Sequence, residues 1–216
     1  VTFFQENLQM ELRFNILKEV VDKFIVCESI YDHRGREKKI NFSKSNFPEL
    51  SSKIEHIIVQ RKFPEKNTPW QNQSWQREFI FEGIKEARND DLIMFSDPDE
   101  IPNPEKIKNF DLVSKYGIFL QNMYTYKLNL FNRYESPWEG TRICKKKDLK
   151  SIDWLRHKIL MKNLKYGFWR IDKEKSIQII NNGGWHFNYL LKPYEISKKF
   201  KSLAETSWDK EEFYNE

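Results

Sequence analysis

Short apolar runs of strand length alternate with helix-patterned segments through the first half of this chain. Residues 1–4, 23–28 and 56–60 each contain a run of apolar or β-branched residues. Between the first two runs, Leu8, Leu12, Ile16 and Val20 are spaced by four, as on one stripe of a helix. This alternation is typical of strand-helix-strand units that build a parallel sheet, so it predicts an α/β fold.

The second half has a different pattern. Residues 116–131 are aromatic and β-rich, residues 138–144 offer another strand, and a last helix is expected over residues 193–205, with Pro193 in its first turn. These segments predict a mixed or antiparallel sheet beside the parallel part. A chain of 216 residues fits one compact domain, so we expect residues 1–216 to form a single domain.

An apolar run at residues 91–96 ends abruptly in Asp97-Pro98-Asp99-Glu100. The carboxylates therefore stand at the carboxyl end of a predicted buried strand, where ligands bind in open α/β sheets. Asp97 and Asp99 can share one hard cation, Mg²⁺ or Mn²⁺, and leave positions open for substrate phosphates. A solvated acidic turn is the alternative, but the apolar residues on both sides of the acids favour a strand-end site.

Three further side chains are candidates for binding. His186 follows two glycines and Trp185, so it is either a metal ligand or phosphate contact, or a core histidine with one hydrogen bond. Arg77 could hold a phosphate or base, or lie exposed on a helix face. Glu28, at the end of the second strand, could bind a ribose or base, or cap the next turn.

Composition limits the possible partners and the compartment. The 37 Lys and Arg residues are interleaved with 32 Asp and Glu residues, which indicates a local anion site and no nucleic-acid surface. Cys27 and Cys144 have apolar neighbours and are expected to be buried and unpaired. No apolar run is long enough to cross a bilayer, so we expect a soluble domain, cytoplasmic if the natural chain has no removed signal or anchor.

Several segments together resemble glycosyltransferase family 17. In chain order they are Phe3-Phe4-Gln5-Glu6 with Glu11-Leu12-Arg13, Val26-Cys27-Glu28-Ser29, Gln76-Arg77, Phe95-Ser96-Asp97-Pro98-Asp99-Glu100-Ile101-Pro102 and Gly184-Trp185-His186-Phe187. The resemblance covers nearly the whole chain. It implies a single catalytic domain of GT-A-like (Rossmann-like) fold with a mixed sheet. It also implies an inverting transferase with UDP-N-acetylglucosamine as donor and a glycan hydroxyl as acceptor.

The same resemblance assigns roles to individual residues. Asp97 and Asp99 match the family's acidic metal and donor motif, while Glu28, Arg77, Trp185 and His186 match positions in its shared segments. One departure concerns Glu205, because the family has a Ser-Phe-Ala-His-Thr-like stretch where this chain has Ser202-Leu203-Ala204-Glu205-Thr206. Glu205 then replaces that histidine as an oxygen ligand, or the site has changed.

An inverting transferase needs one general base to deprotonate the acceptor hydroxyl. Glu100 and Glu205 are the candidates, although Glu100 could instead be tied to a backbone amide or to Arg77 and shape the loop. Two other functions stay open. A metal-dependent phosphoesterase also uses paired aspartates, and a non-catalytic carbohydrate-binding module could use the seven Trp and nine Tyr residues to stack on sugars.

Overall fold

The computed structural model describes residues 1–108 and 110–202 and confirms the α/β class. The strands are β1 (Thr2–Phe3), β2 (Phe24–Ser29), β3 (Ile54–Val59), β4 (Leu92–Phe95), β5 (Glu100–Pro102), β6 (Tyr116–Thr125), β7 (Trp138–Lys145), β8 (Ile177–Ile180) and β9 (Gly184–Asn188). The α-helices are α1 (Asn7–Leu17), α2 (Pro69–Glu78), α3 (Ile152–Lys158) and α4 (Pro193–Phe200).

The first sheet is the predicted parallel one. Its strand order is β1-β2-β3, and both pairs are parallel, with α1 connecting β1 to β2. The predicted stripe is confirmed in part: Leu12, Ile16 and Val20 are partly buried against the core, but Leu8 is 47% exposed. The apolar residues of α1 that are fully buried are Met10, Phe14 and Leu17. An α-helix has 3.6 residues per turn, so a stripe spaced strictly by four drifts around the helix, and spacings of three and four together stay on one face.

The second sheet is mixed, as predicted. Its order is β4-β7-β6-β9-β5, with β8 also pairing with β6. The pairs of β6 with β8 and with β9 are parallel, and the other pairs are antiparallel. Strand β4, which leads into the acidic turn, thus belongs to this sheet and not to the parallel one. The sequence pattern groups this run with the strands of the parallel sheet, and that grouping is wrong, because apolar runs show where a strand lies but do not encode its partner.

Both sheets contribute to one hydrophobic core. Cys27 and Val59 of the first sheet pack in the same cluster as Phe95 and Ile118 of the second and Leu155 of α3. The core explains why α3 is stable although it is short, since most helical stability in proteins comes from packing of the apolar face.

Three expectations about single elements have clear outcomes. Cys27 and Cys144 are both buried and free, as predicted. The predicted long strand at residues 116–131 ends at Thr125, where Tyr126 takes a left-handed conformation with φ 67°. Within the two described ranges, no helix has the length and apolarity that a membrane crossing requires.

Candidate active site

A cavity of about 240 Å³ lies beside the turn between β4 and β5. Its wall includes Phe4 and Tyr31, which follow the carboxyl ends of β1 and β2, and Lys199 from α4. The turn residues Asp97, Asp99 and Glu100 also line it. The acidic motif therefore faces a cavity at strand ends, as the sequence predicted, and α4 completes the wall.

The turn is anchored to α1 by a buried arginine. Arg13 is 4% exposed, and its Nη2 donates to the carbonyl oxygen of Asp97 at 2.9 Å and to that of Glu100. Burial lowers the pKa of Arg13 to about 10, which leaves the guanidinium charged at neutral pH. Arg13 thus links the parallel sheet unit to the acidic turn, and it belongs to one of the segments that carry the family resemblance.

Asp97 is held by two arginines. Arg77 Nη2 lies 3.3 Å from Oδ1 of Asp97, and Arg156 Nη2 lies 2.8 Å from Oδ2. Burial opposes ionisation of this carboxyl, but the positive charges of Arg156 and Arg77 outweigh it and lower the pKa of Asp97 to about 2. Asp97 is therefore an anion with both oxygens engaged.

Asp99 has a different set of partners. Its Oδ1 lies 3.5 Å from Nε2 of His186, and its Oδ2 lies 3.6 Å from Nζ of Lys199. Burial acts against the charged form of Asp99, yet His186 and Lys199 hold its pKa well below the usual range. The Asp99 carboxylate in turn raises the pKa of His186, because it stabilises the imidazolium. Burial of His186 acts in the opposite direction but is outweighed.

Pairing of β5 with β9 brings Asp99 and His186 together. Glu100 lies opposite His186 in the register, and Gly184 lies opposite Pro102. Gly184 has φ +126°, and a Cβ there would lie 2.1 Å from the carbonyl oxygen of Ile101. Glycine is thus required for the close approach of two backbones. This approach is made to β5 and the residue that follows it.

Glu100 is completely buried and fully hydrogen-bonded. Its Oε1 accepts from Trp138 Nε1 and from Arg156 Nη2, both at 2.8 Å, and its Oε2 accepts from the backbone N–H of Asp97 at 3.1 Å. These contacts match the alternative in which Glu100 shapes the loop, with Arg156 in place of Arg77. Its role as a base stays a prediction. The other candidate, Glu205, lies outside the described residues.

The remaining predicted donor-binding residues lie away from the cavity wall. Arg77 is 2% exposed and also bonds Asp153 Oδ1 at 2.9 Å, so the alternative of an exposed helix-face arginine is wrong. Glu28 is buried and accepts from the backbone N–H groups of Asn41 and Phe42, which fits the capping alternative. Trp185 packs in the hydrophobic cluster around α1. Direct donor contacts of these three residues stay predictions.

Among the cavity residues that sequence reasoning missed are two cations that contact the acidic turn. Arg156 lies on α3. The sequence signal for this helix is the N-cap residue Ser151, whose side chain accepts a hydrogen bond from the backbone N–H of Trp154. Lys199 lies on the predicted last helix and bonds Glu6 Oε1 at 3.0 Å in addition to Asp99. Both cations are buried by tertiary contacts, and a sequence does not distinguish such residues from solvated lysines and arginines.

The three predicted metal ligands, Asp97, Asp99 and His186, differ in the partners that they contact. Across residues 1–108 and 110–202, no group of three or more His, Cys, Asp or Glu side chains is placed to hold a metal ion. Asp97 has two arginine partners. Asp99 and His186 offer one carboxylate and one imidazole, and Nδ1 of His186 is buried without a hydrogen-bond partner. A metal bound by these two residues would take its other ligands from phosphate oxygens and water, and it would require His186 in its neutral form.

The fold is that of an α/β protein with a carboxylate-lined cavity at strand ends, the position at which ligands bind in open α/β sheets. The model of glycosyltransferase family 17 matches residues 1–210. This chain belongs to glycosyltransferase family 17.

The chain is also similar to curated members of known activity. The human and rat proteins named beta-1,4-mannosyl-glycoprotein 4-beta-N-acetylglucosaminyltransferase are each 29% identical to it over 103 residues, and the mouse protein of that name is 28% identical. The match covers 43% of this chain and 19% of each relative, so it spans about a fifth of their length. No solved structure matches the chain.

Proposed function

We propose that this chain transfers N-acetylglucosamine from UDP-N-acetylglucosamine to a glycan hydroxyl, with inversion at the anomeric carbon and with Mn²⁺ or Mg²⁺. The observation that carries the proposal is the cavity at the strand ends, lined by Asp97, Asp99 and His186. Family membership and the activity that the names of the mammalian relatives state support the reaction class and the sugar. The unit β1-α1-β2-β3, joined to a mixed sheet, supports a GT-A-like assignment.

The strand-end position suggests how the donor lies. Tyr31 and His33 line the cavity just beyond β2, where a nucleotide binds in folds of this kind. Burial lowers the pKa of His33 to about 4, so its ring is neutral and suits contact with an uncharged base or ribose. The diphosphate then lies nearer to the acidic turn, beside Lys38 and Lys199.

Charge balance supports a divalent cation in this arrangement. Five carboxylates line the cavity, and five cations balance them: three lysine or arginine side chains of the lining, with Arg77 and Arg13 behind the acidic turn. A bound diphosphate would add negative charge to this balanced set, and a divalent cation would neutralise it. When bound by Asp99 and His186, a divalent metal would act as a Lewis acid that stabilises charge on the departing diphosphate.

The chain's own residues hold this geometry. Arg77 and Arg156 keep Asp97 ionised and in place, and Glu100 orients Arg156 from the buried side. In a single displacement the acceptor hydroxyl attacks from the face opposite the leaving UDP, so an α-linked donor gives a β-linked product. Glu100 and Glu205 remain the proposed candidates for the general base.

A donor screen tests the proposal. The protein is incubated with UDP-, GDP- and CMP-sugars, with Mn²⁺ or with EDTA, in the presence and absence of a β-mannoside-terminated glycan. We expect turnover with UDP-N-acetylglucosamine and Mn²⁺, stimulated by the glycan, and a β-anomeric proton in the NMR spectrum of the product.

Other outcomes of the same screen contradict the proposal. Release of nucleotide or phosphate at full rate without any sugar acceptor would indicate a phosphoesterase. Glycan binding with no turnover and no metal-dependent UDP binding would indicate a carbohydrate-binding module. An α-linked product would refute inversion.

A further inference from the structure

Two tyrosines in the described structure have an uncommon backbone conformation. Tyr126 has φ 67° and Tyr189 has φ 54°. Positive φ is unfavourable for a bulky side chain, and residues held in such conformations concentrate at ligand-binding and active sites. The two rings also stack on each other, with centroids 6.0 Å apart and planes inclined by 25°.

The sheet explains why these tyrosines meet. Tyr126 directly follows β6, and Tyr189 directly follows β9, which pairs with β6 in parallel. The backbone N–H of Tyr126 donates to the carbonyl oxygen of Asn188 at 2.9 Å, which continues the pairing past both strand ends. Two neighbouring parallel strands therefore place both rings at one edge of the sheet.

The stacked pair extends from the cavity to the surface. Tyr189 and its neighbour Asn188 line the cavity. Tyr126, the other tyrosine of the stacked pair, is 56% exposed. Tyr189 lies three residues beyond His186 along the strand, which corresponds to roughly 10 Å. The pair is thus continuous with the proposed donor site but lies beyond its acidic centre.

The chemistry of this edge fits a saccharide. Aromatic rings offer apolar faces to the C–H groups of a sugar, and their hydroxyl groups remain free for hydrogen bonds. Asn188 and Trp138 add an amide and an indole to the lining of the same cavity. The nucleotide end of the cavity, at Tyr31 and His33, is formed by different elements, β2 and its following loop.

We infer that Tyr126 and Tyr189 form a subsite for the acceptor saccharide, which enters the cavity across the exposed ring of Tyr126. The inference rests on the proposed function, because it takes the Asp99 region as the donor site. The rings bind the acceptor sugar that receives the transferred residue, and Tyr126 is the member of the pair that reaches the surface.

Substitutions at Tyr126 provide the first test, since Tyr189 also contacts Phe200 of α4 and its replacement would disturb that helix. Tyr126→Asn removes the ring, and asparagine tolerates the left-handed conformation. Tyr126→Phe keeps the ring. Tyr166→Asn is the matched control, because Tyr166 is 38% exposed and does not line the cavity.

The assay measures transfer from UDP-N-acetylglucosamine to methyl β-mannoside and, separately, hydrolysis of the donor without acceptor. We expect Tyr126→Asn to raise the KM for the mannoside roughly threefold to tenfold, as loss of one stacking partner does. Its hydrolysis rate and donor KM should stay within about twofold, and Tyr126→Phe and Tyr166→Asn should match the wild type. An unchanged mannoside KM in folded Tyr126→Asn overturns the subsite.

Protection of the wild-type protein gives a second test that needs neither a variant nor turnover. Exposed tyrosines are nitrated with tetranitromethane, and the modified peptides are quantified by mass spectrometry. We expect saturating methyl β-mannoside to slow nitration of Tyr126 and to leave that of Tyr166 unchanged. Equal rates with and without the mannoside refute the subsite. If no sugar is transferred in the first assay, the proposed function fails, and protection alone decides whether saccharide binds here.

Discussion

The Glu100→Gln substitution separates a structural role of this residue from a catalytic one. All three partners of the Glu100 carboxylate, the Trp138 indole, the Arg156 guanidinium and the Asp97 backbone N–H, are donors. A glutamine amide offers one acceptor oxygen and one NH₂ group, so at least one partner faces another donor. The position is 0% exposed, and water cannot replace the lost bond.

The expected cost follows from these contacts. Breaking a buried ion pair costs about 3–5 kcal/mol, and an unsatisfied buried donor costs about 1–3 kcal/mol. Arg156 keeps Asp97 at 2.8 Å, so its charge retains one partner. We therefore expect Glu100→Gln to lower the free energy of unfolding by about 3 kcal/mol.

Urea denaturation of the variant and of a matched control measures this effect. Glu139→Gln is the control, because Glu139 also pairs with a buried arginine, Arg142, but its side chain is 29% exposed. For Glu139→Gln we expect the free energy of unfolding to fall by about 1 kcal/mol. The reasoning is refuted if the free energy of unfolding of Glu100→Gln lies within about 0.5 kcal/mol of the wild-type value, donor affinity is unchanged, and turnover falls by roughly a factor of 100 or more. That result would identify Glu100 as the general base.

Three other predictions follow from the charges and thiols. Asp99→Asn should abolish both transfer and Mn²⁺-dependent binding of UDP, measured by calorimetry, while Asp111→Asn, at an exposed position, should change neither. The pKa of Asp97 is about 2 in the folded chain and 3.8 ordinarily, so its stabilising effect is complete above pH 4 and is lost as the pH falls toward 2. Lowering the pH toward 2 should therefore reduce the free energy of unfolding of the wild type by roughly 2 kcal/mol more than that of Asp97→Asn, as measured by urea denaturation at each pH. Burial raises the pKa of both Cys27 and Cys144 to about 12, and we expect Ellman's reagent to label two thiols per chain in guanidinium and none in native protein.

Much of the fold could be predicted because local patterns encode it. The apolar runs at β2, β3 and β4 and the proline start of α4 are properties of neighbouring residues, and the structure has each element near its expected position. The partner of β4 is not a local property. It depends on β7, which lies far along the chain, so the sequence supplied the strand and not the sheet to which it belongs.

The site shows the same division between local and distant information. Asp97 and Asp99 are adjacent to a strand end, and their placement on the cavity could be predicted from that position alone. Arg156 and Lys199 reach the same cavity from α3 and α4, and nothing in their own segments marks them. Glu100 is the clearest case, since its three donors come from three separate segments and its burial is a product of their assembly.

The pairing of β5 with β9 also sets the order in which the site can form. Asp99 and His186 are far apart in the chain, and contacts between such distant segments form late in folding. During synthesis the amino-terminal part emerges first, so a chain that has not yet released β9 carries the acidic turn without its histidine. A ligand that binds only the folded cavity raises the stability of the folded chain by RT ln(1 + [L]/Kd). It does not stabilise shorter chains that lack β9. If the cavity binds donor nucleotide as proposed, the nucleotide would therefore stabilise only those chains in which β5 and β9 have paired.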